Sequence, residues 1–129
     1  MTKKLALKTK TFTKWMGKCK IQDCDLLRAI DEMERGLIDA DLGFNTYKKR
    51  IGLIGIGKRS GARVIVATQL MKRWFFIYGF AKNEKSNVSR DELVYLQEVS
   101  KRLLNLTDSE IDVAIKSNEL REVEHDHKK

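Results

Sequence analysis

Residues 44–90 read FNTYKKRIGLIGIGKRSGARVIVATQLMKRWFFIYGFAKNEKSNVSR. Three runs in this stretch carry the signature of strands. In residues 47–51 a period of two puts Lys48 and Arg50 on one face and Lys49 and Ile51 on the other. Residues 62–69 alternate Arg63, Ile65 and Ala67 against Val64, Val66 and Thr68. Residues 74–80 are apolar on both faces, as in a strand at the centre of a sheet. The basic run 81–85 continues from its end. A loop containing Gly52, Gly55, Gly57 and Gly61 joins the first two runs, and residues 70–73 turn the chain between the second and third.

The same stretch concentrates charge. It holds eleven Lys and Arg residues and a single acid, Glu84, whereas residues 91–129 hold six bases and ten acids. The net charge of the whole chain is +8. A basic face built from strands suits a polyphosphate partner, and Tyr47 is placed to stack on a base.

Outward from this centre, residues 4–10 alternate like an edge strand with lysines on the wet side. Phe12, Trp15 and Met16 mark a short helix. Leu26, Ile30, Met33 and Leu37 repeat as the buried stripe of a second helix, with Asp23 as its cap and Gly36 near its stop. The loop 38–43 then turns into the sheet. Two capping boxes follow, Ser89 with Glu92 and Thr107 with Glu110, each opening a C-terminal helix. The expected fold is α+β: a small, mostly antiparallel, four-stranded curved sheet packed against helices. One domain is expected over residues 1–123, with a disordered tail at 124–129.

Several functions are disfavoured by what the chain lacks. Gly52 to Arg59 approaches a phosphate-binding G-x-x-x-x-G-K-[ST] loop, but Arg59 replaces the magnesium-binding hydroxyl, and strand rather than helix is expected after it. Both histidines, His125 and His127, lie in the tail, so the core has no Ser/His/Asp or Cys/His set. The two cysteines, Cys19 and Cys24, are too few for a zinc site or a disulfide framework. No metal or other cofactor is expected. No apolar run reaches the roughly 20 residues of a membrane span, and a cytoplasmic protein is expected. An enzyme built on this chain works with Lys and Arg.

The chain resembles the RelE/HigB superfamily of bacterial type II toxins, in particular a HigB-like branch with a long glycine-rich loop. The resemblance runs through Lys8 to Trp15, Glu32 to Gly43, Tyr47 to Arg50, Gly57 and Lys58 with Arg63, and Trp74 to Asn83 running on to Ser89. It implies a small curved sheet with helices on one side. It also implies a toxin that acts as a ribosome-dependent, metal-independent mRNA endoribonuclease, in which the RNA 2′-hydroxyl attacks its own neighbouring phosphate. The implied partners are mRNA, the ribosome and an antitoxin of helix-turn-helix type. By position, the resemblance makes Arg63, Lys82, Lys48 and Arg50 the catalytic candidates. Arg59, Ser60 and Ala62 depart from the branch's usual G-K-S-G-G-Y-R loop, which leaves open the group that takes the proton.

In that chemistry Arg63 clamps the phosphate with a planar fork of donors, and Lys82 neutralises or protonates the leaving oxygen. Lys48 is the candidate base, provided that neighbours such as Arg50 favour its neutral form. Lys49, Lys58, Arg59 and Lys85 are expected to hold RNA or ribosomal backbone, with Tyr47 beside them. The alternative is a non-cleaving toxin or binding module that acts on gyrase or ribosomal RNA.

Overall fold

The computed structural model describes residues 4–53 and 57–124, with backbone only for residue 53 and residues 57–60. Both histidines and most of the expected tail therefore lie outside the described residues. So do residues 54–56 and the side chains of Lys58 and Arg59. The elements run β1 (Leu5–Thr9), α1 (Lys10–Lys18), α2 (Asp23–Glu34), β2 (Ala40–Asp41), β3 (Thr46–Leu53), β4 (Gly57–Thr68), β5 (Arg73–Ala81), α3 (Arg90–Leu104), α4 (Asp108–Lys116) and β6 (Leu120–Glu122).

The strands form one sheet in the order β2-β3-β4-β5-β1-β6. Among the described residues only β1 and β5 pair in parallel; the other pairs are antiparallel. The sheet therefore has six strands where four were expected. The two additions, β2 and β6, span two and three residues, too short for alternation to reveal them. Because β6 adds to its outer side, β1 is internal rather than an edge. Its Lys8 is accordingly not a solvated edge lysine: Nζ lies 2.6 Å from Asp23 Oδ1.

Both faces of the sheet are covered by helices, which corrects the one-sided packing implied by the resemblance. Phe12 and Met16 of α1 and Leu26, Ile30 and Met33 of α2 pack on Val64, Val66, Trp74 and Phe76. On the opposite face Leu96 of α3 and Ile111 of α4 pack on Leu7, Ile65, Ala67, Phe75 and Ile77. The alternation in β4 explains this directly. Its residues 64–67 are apolar and buried on both faces, which leaves neither face for water there, so each face needs its own helical layer.

The helix ends follow local chemistry. Thr9 caps α1 by accepting from the Phe12 N–H at 3.1 Å. In α2 the cap falls one residue earlier than expected, at Gln22, whose N–H donates to Asp25 at 2.9 Å. This frees Asp23 to accept from Lys8 and also from the Glu124 N–H at 2.8 Å, which ties the end of the described chain to α2. Gly36, at φ +89°, closes α2. The Gly36 N–H donates to Met33 and the Leu37 N–H to Glu32, the paired bonds of a Schellman stop. Leu37 thus falls outside the helix and is 55% exposed rather than part of its stripe. Both expected capping boxes form, at Ser89–Glu92 and Thr107–Glu110.

Candidate active site

The site is built on the α3/α4 face of β3, β4 and β5, at the end where Arg63 and Phe80 lie. In β3 Lys48 and Arg50 point to this face. Arg50 stands directly opposite Arg63 of β4, and Arg63 directly opposite Phe80 of β5. One row further into the sheet, Lys48, Ile65 and Tyr78 are matched in the same way. Directly opposed residues have Cβ atoms about 4.5–5.5 Å apart and diagonal neighbours about 7–8 Å, so Arg50 and Arg63, with Lys48 on the diagonal, form one basic group.

Lys82 joins them through a bulge. Ile65 pairs with Tyr78 but Val66 pairs with Phe76, so β5 carries one extra residue, Ile77. Before the bulge Phe75 and Ile77 face α3; after it Tyr78 and Phe80 take that face. Without the extra residue, Tyr78, Phe80 and Lys82 would point toward α1. The bulge resets the phase, as bulges beside functional sites often do. The register then extends past the strand, where the Lys82 N–H donates to the Gly61 carbonyl at 3.1 Å. This sets Lys82 beside Gly61, two residues before Arg63. Lys82 is exposed and makes no ion pair among the described residues.

The surroundings of these four side chains differ. Arg63 is only 7% exposed, and burial together with the adjacent Arg50 lowers its pKa from the ordinary value, with Asp39 acting in the other direction. Arg50 is about half exposed and donates from Nε to Asp39 Oδ1 at 2.8 Å. Lys48 donates to Asn87 Oδ1 at 3.4 Å, which links β3 to the loop before α3.

A family model described as the RelE toxin of the RelE/RelB toxin–antitoxin system matches residues 4–123, a span that contains every described strand and helix. The chain belongs to the RelE toxin family. It is therefore a toxin of a toxin–antitoxin pair, and an antitoxin is its partner. No match is found among curated proteins. Among the described residues of this RelE toxin, no helix is long and apolar enough to cross a membrane.

Of the residues expected to hold RNA, two lie elsewhere in the toxin and a third is engaged within the fold. Lys49 faces α2 and is 4% exposed, with Nζ 2.7 Å from Glu32 Oε1. Tyr47 shares that face and packs against the α1/α2 core. Lys85 stays near the site, but its ammonium is held by both Glu92 oxygens at 2.6 and 2.7 Å and by the Tyr78 hydroxyl at 3.0 Å. Glu92 also accepts from the Tyr78 hydroxyl at 2.9 Å and from the Ser89 N–H at 2.7 Å. Led by the Lys85 contact, these bonds lower the Glu92 pKa from 4.5 to about 2. The same carboxylate therefore caps α3, holds the loop after β5 and anchors Tyr78. The capping role was readable from Ser89-x-x-Glu92. The two tertiary partners, seven and fourteen residues upstream, carried no such signal.

Proposed function

We propose that this toxin is a ribosome-dependent mRNA endoribonuclease of the HigB-like type, acting in the cytoplasm and silenced by a helix-turn-helix antitoxin. The observation that carries the reading is the meeting of Lys48, Arg50, Arg63 and Lys82, from three successive strands, on one face beside the ring of Phe80. RelE family membership supports it, as does the resemblance to toxins that cleave mRNA. In the proposed reaction the RNA 2′-oxygen forms a bond to the adjacent phosphorus as the bond to the 5′-oxygen breaks. The products are a 2′,3′-cyclic phosphate and a 5′-hydroxyl.

Holding the attacking oxygen, phosphorus and leaving oxygen in line is a large effect by itself. Arg63 serves this by gripping two phosphate oxygens with a fork fixed in the sheet. Lys82, at the same end of the face, gives its proton to the departing 5′-oxygen. Lys48, when neutral, receives the 2′-hydroxyl proton. Lys58 and Arg59 are proposed to hold the RNA backbone.

The test is a cell-free translation assay that maps new mRNA 5′ ends with and without translating ribosomes. The expected result is ends that appear only with ribosomes, fall in codon phase, and disappear with Arg63→Ala and Lys82→Ala. Intact mRNA in the presence of bound wild-type toxin would overturn the nuclease reading in favour of a non-cleaving toxin acting on gyrase or ribosomal RNA.

A further inference from the structure

Arg50 and Arg63 are directly opposed across β3 and β4. Like charges in that relation destabilise a sheet, and with Arg63 almost buried the repulsion is poorly screened by water. Asp39 answers this arrangement. It lies just before β2, and its N–H donates to the Lys48 carbonyl at 3.0 Å, so it is fixed to the strand that bears both Lys48 and Arg50. Its carboxylate is 18% exposed and takes the Arg50 Nε–H at 2.8 Å. A guanidinium has five N–H donors, so a contact through Nε leaves others for a second anion. The charge of Asp39 also reaches Arg63, where it opposes the effect of Arg50.

We propose that Asp39 is a positioning residue of the site: it fixes Arg50 by accepting from Nε, so that the Arg50 and Arg63 guanidiniums, held side by side despite their like charge, address one phosphate group of the RNA. The proposal rests on the reading of the basic face as a phosphodiester site. It goes beyond that reading by assigning a role to an acid in a segment that the sequence marks only as a turn. Arg63 contributes a grip set by burial, and Arg50 contributes one set by Asp39. A carboxylate in a basic site weakens anion binding overall, so its value lies in geometry.

That distinction makes the role testable with Asp39→Ala and Asp39→Asn. The asparagine keeps an oxygen to accept from Nε and removes the charge; the alanine removes both. The first readout is cleavage by the full-length toxin in the translation assay, with kcat and KM separated. Asp39→Ala is expected to lower kcat about 10- to 100-fold, the scale of a misplaced catalytic group, without raising KM. Asp39→Asn is expected to retain most of kcat.

The second readout does not depend on cleavage. Inorganic phosphate is titrated into the toxin while the arginine Nε–H resonances are followed by NMR. In wild type and Asp39→Asn, Arg50 and Arg63 should shift together with one dissociation constant. In Asp39→Ala the Arg50 response should separate from that of Arg63. Equal kcat in all three proteins, or an unchanged joint response in Asp39→Ala, would overturn the proposal. If wild type fails to cleave but the joint response appears and depends on Asp39, the nuclease reading falls and the positioning role stands.

Discussion

Lys49 and Arg50 are adjacent in the chain but occupy different environments. Arg50 is half exposed within the basic group, whereas Lys49 is enclosed between β3 and α2 with Glu32. Their substitutions should therefore separate stability from activity. Lys49→Ala removes the ammonium that lies 2.7 Å from the Glu32 carboxylate. A loss of about 3 kcal/mol is expected from breaking a buried pair, read as a lower midpoint in urea unfolding. Replacing the two partners together, Lys49→Met with Glu32→Leu, should recover most of that loss, because apolar side chains of similar volume need no charge partner. For Arg63→Ala the expected change is a fall in cleavage rate of about 10²–10³, the typical effect of removing one electrostatic donor from a site. Arg63→Lys should restore little of it. A lysine keeps the charge but presents a point instead of a planar fork. Counting mRNA 5′ ends in the translation assay measures both. Recovery to wild-type yield by Arg63→Lys would mean that charge alone suffices there.

The element that does most to assemble the site is β5, because its bulge at Ile77 turns Tyr78, Phe80 and Lys82 onto the face of Arg63. This also marks the limit of what the sequence made legible. Within β3 a period of two groups Lys48 with Arg50, and within β4 it groups Arg63 with Ile65 and Ala67; that the two faces coincide is set by the register of Arg50 opposite Arg63. In β5 every position from Trp74 to Ile77 is buried, so no polar residue betrays the change of phase. The face of Lys82 followed from resemblance rather than from alternation. Ion partners such as Glu32 for Lys49 and Glu92 for Lys85 depend on how helices dock, which local pattern does not encode. On the other side of the bulged segment, a Cβ added to Gly79 would overlap the indole ring of Trp15 in α1. Gly79→Ala should thus displace Trp15 and destabilise the fold by about 1–3 kcal/mol, as overpacking does. Trp15→Leu in the same chain should relieve part of it, with urea midpoints as the measure. The Glu92 clamp gives this region a pH dependence. Its folded pKa, about 2, lies below the ordinary 4.5, so its contribution is complete above 4.5 and is lost as pH falls toward 2. The same contacts raise the pKa of Lys85 from 10.5, which moves the basic limit upward. The urea midpoint of Glu92→Gln should fall below that of wild type at pH 7, and the two should converge near pH 2–3. A constant gap across that range would show that the carboxylate charge is not what holds the clamp.

For the molecule as a whole, charge in sequence and charge at the site are different quantities. Of the eleven bases in residues 44–90, Lys49, Arg50, Arg73 and Lys85 are paired with Glu32, Asp39, Asp108 and Glu92, all four of which lie outside that stretch. Lys72 and Arg73 stand at the opposite end of β5 from Lys82. The acidic flanks thus fold back on the basic centre, and the bases grouped on the α3/α4 face of β3, β4 and β5 are Lys48, Arg50, Arg63 and Lys82. The salt dependence of RNA binding reports how many of these charges meet phosphates. Each contact to a single strand contributes about 0.7 to the slope of log K against log salt. Four contacts predict a slope of about −3, and Lys58 with Arg59 would carry it to about −4. Eleven contacts would give a slope of about −8. The measurement uses an mRNA fragment with 2′-deoxy residues, which binds without being cut, over a range of potassium chloride. Lys82→Ala should reduce the slope by about 0.7, whereas Lys72→Ala should leave it unchanged. A slope near −8 for wild type would mean that RNA displaces the internal acids from their bases. The ion pairs around the site would then be exchanged on binding rather than kept as its frame.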